Sequence, residues 1–140
     1  MITIREIAPS DYPACAAIFE AAWIDAFPES PRKIGVAELT METRDELVIV
    51  AACGDQLLGF ASVYLPGSFL HHLYVDPARH RQGAGSALLL EAMRRAPAKL
   101  SLKCQHSNRR ARSFYAARRF VEGETGDSEY GPWIILTAPH

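Results

Sequence analysis

The stretch "LYVDPARHRQGAGSALLLEAM", residues 73–93, decides the reading of the chain. An apolar run stops at Asp76-Pro77, basic residues follow, and Gly83-Ala84-Gly85-Ser86 opens a segment with Leu88, Leu89, Ala92 and Met93 on one helical face. A strand that runs through glycines into a helix presents unpaired backbone N–H groups at the positive end of the helix dipole. Glycine also lets a ligand come close to the backbone. The same Gly-x-Gly could serve only as a tight turn, but Arg79, His80 and Arg81 beside it favour an anion, and a pyrophosphate fits best. It is not a Walker loop, because Gly85-Ser86-Ala87 stands where Gly-Lys-Ser/Thr is needed. A dinucleotide fingerprint would need a small residue in place of Leu88 and an acid closing the next strand, where Lys103–Gln105 offer none.

Outward from this stretch, "ITIREI" alternates as a strand, and a helix over "PSDYPACAAIFEAAWIDAF" follows, with Ser10 or Asp11 as its cap. Residues 36–43 form a second, shorter helix. Gly54-Asp55 turns a hairpin between residues 47–53 and 57–65, and "FLHHLYV" is the next strand. The helix of residues 84–95 ends before Pro97, "KLSLKCQ" is a strand, "SNRRARSFYAARR" a helix, and "FVEGETG" and "PWIILTA" are closing strands. The order β-α-α-β-β-β-α-β-α-β-β predicts an α/β (α+β) fold: an antiparallel region followed by a right-handed βαβ crossover, in a single domain over residues 1–140.

Composition narrows the class. At 49% hydrophobic and 22% charged residues the chain reads as a globular domain, with no apolar run long enough to span a bilayer and no leader-like start, so a cytoplasmic location and no membrane partner are expected. Cys15, Cys53 and Cys104 are odd in number and far apart, which suggests neither a disulfide framework nor zinc, and no metal is expected. Net charge is −6 over residues 1–70, +9 over residues 71–120 and −4 over the remainder, so the middle segment is the anion-binding side. It carries no aromatic-rich basic strand, which argues against nucleic acid.

"LYVDPARHRQGAGSALL" resembles the acyl-CoA signature of the GNAT acetyltransferases, V-x-P-x-x-[Q/R]-x-x-G-x-[G/A], and "NRRARSFYAARRF", residues 108–120, resembles their second signature, N-x-x-A-x-x-F-Y-x-x-x-G-F. The resemblance implies a mixed, mostly antiparallel central sheet of about seven strands flanked by about four helices, with the crossover at the CoA site. It implies acetyl-CoA as co-substrate. The backbone of Leu73, Tyr74 and Val75 is expected to pair with the pantetheine arm, and Arg81, Gln82, Gly83, Ala84, Gly85 and Ser86 to hold the pyrophosphate. Asn108 matches a cofactor-contacting position and equally suits a helix N-cap. Two positions depart from the pattern: His80 replaces the usual Gln or Arg, and Arg119 the usual Gly. If that turn needs positive φ, Arg119 costs about 1 kcal/mol.

Acetyl transfer to an amine needs a proton acceptor and a donor to the departing thiolate. Tyr115 matches the family tyrosine that faces the sulfur, although a Phe-Tyr pair on a helix also packs as core. For the base, His71 and His72 lie on the cofactor strand, and ordered water is the alternative. Strict alternation puts Phe69, His71 and Leu73 on one face and Leu70, His72 and Tyr74 on the other, so one histidine faces the cleft unless a bulge intervenes. His71 is favoured. Trp23, Phe27 and Arg32 are expected to flank the acceptor, a small-molecule amine or a peptide or protein amine. Glu42, Asp45 and Glu46 are further anchors, or simply a solvated surface. The family suggests a homodimer, with the two closing strands as an edge for pairing. The competing reading is a catalytically silent acyl-CoA sensor or interaction module.

Overall fold

The computed structural model describes residues 1–80 and 82–139. Its strands are β1 (Thr3–Glu6), β2 (Leu47–Cys53), β3 (Gln56–Tyr64), β4 (Phe69–Val75), β5 (Ser101–Gln105), β6 (Val121–Gly126) and β7 (Trp133–Thr137). Its helices are α1 (Tyr12–Ala26), α2 (Val36–Glu42), α3 (Ala84–Arg95) and α4 (Arg109–Ala116). The predicted element order holds throughout. Asp11 stands at the N-cap of α1, as expected, but its side chain makes no bond into that helix: the residue ends a short 3-10 turn, Pro9–Asp11, and accepts from the Ala8 N–H at 2.8 Å.

The seven strands form one sheet in the order β1-β2-β3-β4-β5-β7-β6. Every pairing is antiparallel except β4 with β5, which α3 joins as a crossover. β7 lies between β5 and β6 and has both edges paired, so of the two closing strands β6 alone is an edge. Most of β6 is exposed, and it carries Glu122 and Glu124, charges that discourage pairing with another chain.

Alternation along the strands divides the core between the two faces of the sheet. Ile49, Ala51 and Leu58 pack with Leu88, Leu89 and Ala92 of α3. On the other side Val48, Val50 and Phe60 pack with Ile18, Phe19 and Trp23 of α1 and Leu39 of α2. At Gly59 a β-carbon would lie 2.6 Å from the carbonyl oxygen of Tyr74, so glycine is what lets β3 and β4 approach at that point.

Candidate active site

The site starts where β4 and β5 part. Their pairing covers Phe69 with Ser101 and Leu70 with Leu102, after which β5 continues beside β7 and β4 beside β3. The cause is a bulge. Val63 faces Leu70 and Ser62 faces His72, leaving His71 as the extra residue of β4. Leu70 therefore packs in the α3-side core, whereas His72 lies against Phe19 and Phe60 on the α1 side. Beyond the bulge, Leu73 and Val75 pack towards α3 and Tyr74 towards α1. The Asp76 N–H donates to the Leu58 carbonyl at 2.8 Å, so by alternation Leu73 and Val75 turn their backbone groups away from β3, into the wedge beside β5. The Tyr74 backbone is turned towards β3.

The bulge also corrects the expectation of two histidines on opposite faces. Their rings stack at 3.9 Å on the same side. His71 is the exposed member, 36% against 4% for His72, and its Nδ1 lies 2.9 Å from Glu46 Oε2. His72 Nδ1 is 2.7 Å from the Ser62 hydroxyl, and its Nε2 is 3.4 Å from Glu42 Oε1. That last approach is not an ion pair, because burial, followed by the nearby His71 and Arg32, pushes the His72 imidazole down to about 3 and keeps it neutral. A group so weakly basic cannot act as a general base near neutrality, whereas His71 has an oriented ring and solvent access. Asp45 is exposed, and Glu42 and Glu46 are the acids that reach the pair.

At the other end of the wedge, Gly83 caps α3 in the left-handed region, φ +86°. Among the described residues no side chain caps this helix, and its first backbone bond runs from the Ala87 N–H to the Gly83 carbonyl at 3.0 Å, so the amides ahead of Ala87 have no partner among the described residues and can face a ligand. Gln82 is exposed, Ala84 buried, and Gly85 sits beside Val75 and Phe114. Arg81 lies outside the described residues. Arg118 donates to the Ser86 hydroxyl and stacks its guanidinium 3.8 Å from the Phe114 ring, pinning α4 to the start of α3. His80 Nδ1 lies 3.4 Å from Arg110, which also pairs with Asp25 at 2.8 Å.

Asn108 accepts from the Ala111 N–H at 3.1 Å and so caps α4. Tyr115 is buried between Phe114 and Phe120, and burial, reinforced by Cys104 and Tyr74, drives its phenol well above the usual tyrosine range. Burial likewise pushes the Tyr74 phenol up to about 12 and the Cys104 thiol up to about 11. All three are therefore protonated donors at neutral pH.

On the α1 side the structure brings Trp23, Phe27 and Arg32 together and adds Tyr130. The Trp23 ring lies 4.9 Å from Phe27 in a tilted contact and 5.1 Å from Tyr130 edge-on, and its Nε1 donates to the Ser30 carbonyl at 2.7 Å. The Arg32 guanidinium rests 5.0 to 5.1 Å from the rings of Phe19, Trp23 and Tyr130. Sequence reasoning did not single out Ser62, Tyr130 or the side chain of Tyr74. Ser62 had left a signal, the lone polar residue in the run "GFASVY", since a buried hydroxyl needs a partner. Tyr130 had left none, because a loop brings it in from over 100 residues away.

Solved structures similar over the whole chain share this architecture. A GCN5-related N-acetyltransferase from Rhodopseudomonas palustris superposes with a TM-score of 0.81 at 22% identity, covering 97% of this chain and 94% of that one. The PaiA N-acetyltransferase of Thermoplasma acidophilum, in complex with coenzyme A, gives 0.78 at 19% identity, covering 99% of each chain. YncA of Salmonella typhimurium, with its cofactor acetyl-CoA, gives 0.69 at 20% identity, covering 97% of this chain and 90% of that one. No curated protein sequence matches this chain. At these identities the structures speak for the fold alone, but the profile described as the Acetyltransferase (GNAT) family matches residues 5–120, which take in the wedge, the glycine turn and α4. The chain belongs to the GNAT acetyltransferase family.

Proposed function

We propose that the protein is an N-acetyltransferase that moves the acetyl group of acetyl-CoA to a primary amine by direct attack in a ternary complex. The observation that carries this reading is the parting of β4 from β5 at the His71 bulge, with amides unpartnered among the described residues at the start of α3 at one end and His71 and His72 at the other. In this reading Leu73 and Val75 hold the pantetheine arm as an added strand would. Gly83, Ala84, Gly85 and Ser86 receive the pyrophosphate, with Gln82 and Arg81 beside them. Asn108 serves the cofactor through the helix it caps.

Bound acetyl-CoA supplies a thioester carbonyl, at which the amine nitrogen forms the new C–N bond as the C–S bond breaks. His71 Nε2 takes the proton from the amine. The Glu46 carboxylate at 2.9 Å favours the tautomer with hydrogen on Nδ1, which leaves Nε2 as the acceptor. Tyr115 is kept protonated by burial and donates to the leaving sulfur. His72 shapes the cleft as a neutral ring. Trp23, Phe27 and Arg32 form the acceptor wall, which suits a small-molecule amine or a peptide or protein amine.

The test is acetyl-CoA-dependent thiol release across an amine panel of polyamines, aminoglycosides, amino acids and peptides. Release that depends on an amine is expected, and silence across the panel overturns the reading in favour of an acyl-CoA sensor. With an active amine, His71→Ala and Tyr115→Phe should each lower kcat by about 100-fold. Titration calorimetry should find their acetyl-CoA affinity little changed. Near wild-type rates in both variants would remove these roles.

A further inference from the structure

The imidazoles of the β4 bulge and the end of α2 form a cluster that acetyl transfer does not require in full. A ring nitrogen of His71, a ring nitrogen of His72 and a carboxylate oxygen of Glu42 lie within 4.8 Å of one another. We propose that His71, His72 and Glu42 form a binding site for a zinc-class divalent transition-metal ion, and that the ion is an inhibitor of this enzyme and not a cofactor.

The distances fit. Zinc bonds of about 2.0 to 2.2 Å in tetrahedral geometry place neighbouring ligand atoms roughly 3.3 to 3.5 Å apart. His72 Nε2 and Glu42 Oε1 are 3.4 Å apart. That spacing is long for a hydrogen bond and suits two donors on one ion.

The surroundings of the ligands fit as well. Metal-binding histidines characteristically have their second ring nitrogen held by a carboxylate or another acceptor, which fixes tautomer and orientation. Both rings here are held in this way: His71 Nδ1 by the Glu46 carboxylate at 2.9 Å and His72 Nδ1 by the Ser62 hydroxyl at 2.7 Å. Nε2 is left on each ring. Glu42 stands at the C-terminus of α2, where the helix dipole disfavours a carboxylate, and a cation would relieve that placement. Imidazole with carboxylate suits zinc, copper and nickel better than magnesium or calcium.

Binding stands on the ligand geometry alone, whereas inhibition rests on reading His71 as the base, because the ion would engage a nitrogen of that ring. The two are separated by measuring zinc affinity of the full chain against a chromophoric chelator, with acetyl-CoA absent. One zinc per chain in the micromolar range or tighter is expected. Glu42→Gln and His71→Ala should each weaken it at least roughly tenfold. Cys53→Ser should leave it unchanged, which excludes the exposed thiol beside the N-terminal amine as the site. The proposal is overturned if no zinc binds in this range, if Glu42→Gln and His71→Ala bind as wild type does, or if Cys53→Ser abolishes binding. Where zinc binds as expected, amine-dependent thiol release should fall as the site fills and return on chelation. Zinc binding without that fall would overturn the inhibitory role while leaving the site.

Discussion

Arg119 holds a backbone angle that glycine usually takes, φ +66°, in the turn that closes α4 before Phe120. An L-residue there is strained by about 1 to 2 kcal/mol, offset in part by the extra freedom a glycine has in the unfolded chain. Arg119→Gly should therefore stabilise the protein by about 0.5 to 1 kcal/mol, read from urea unfolding, without changing acetyl-CoA affinity. His72 gives a pH signature. Its folded value of about 3 lies below the ordinary 6.5, so between those limits the unfolded chain binds the extra proton. The stability contributed by the neutral ring is fully present above 6.5 and is lost progressively as pH falls towards 3. His72→Gln should flatten this dependence, so melting temperatures at pH 7.5 and pH 5 should differ less in the variant than in wild type. An equal drop in both would remove His72 as the source.

At the scale of elements, β4 organises the site by being irregular. Its bulge turns His71 and His72 to one side and ends the pairing with β5. β3 holds the other edge of β4, and that contact is closest at Gly59. A β-carbon at that position would meet backbone 2.6 Å away, and neither strand can shift without moving the other. Gly59→Ala should cost about 1 to 3 kcal/mol in urea unfolding and weaken acetyl-CoA binding as well, because Val75, which would line the wedge, lies across from it. The elements themselves were legible in the sequence because their signals are local. α3 and β4 match the expected residues 84–95 and 69–75, and Gly54 turns the β2–β3 hairpin with φ +61°. The bulge was not legible. One extra residue in "FLHHLYV" leaves no compositional mark, and only the register against β3 reveals it.

For the whole molecule, the charge pattern points to the same segment as the proposed cofactor site. Residues 71–120, with their net +9, supply β4, the glycine turn, α3, β5 and α4 around the wedge. A ligand that binds this folded surface and not the unfolded chain stabilises the fold by mass action. Acetyl-CoA at about 100 times its Kd should add about 2.7 kcal/mol, which for a domain of this size raises Tm by roughly 5 to 10 °C. Differential scanning fluorimetry reads this directly, and an unchanged Tm would contradict the proposed cofactor site. On the α1 side, residues 1–70 carry a net charge of −6, yet the local arrangement is different, with Arg32 lying over the aromatic wall. Net charge by segment describes the long-range field, whereas the wall depends on which side chain the 28–35 loop folds inward.

The sequence by itself determined the order of the elements, the crossover, the glycine turn at the start of α3 and the candidate donor Tyr115. Each of these is written in spacing along a single segment. Only the tertiary structure decided that His71 and His72 share a side, that Glu46 and Ser62 hold them, that Tyr130 joins Trp23, and that β7 lies inside the sheet with β6 at its edge. Those outcomes depend on strand register and on contacts between residues as far as about 100 positions apart. Local propensity does not encode them, because packing and the satisfaction of buried polar groups are settled across the whole chain at once.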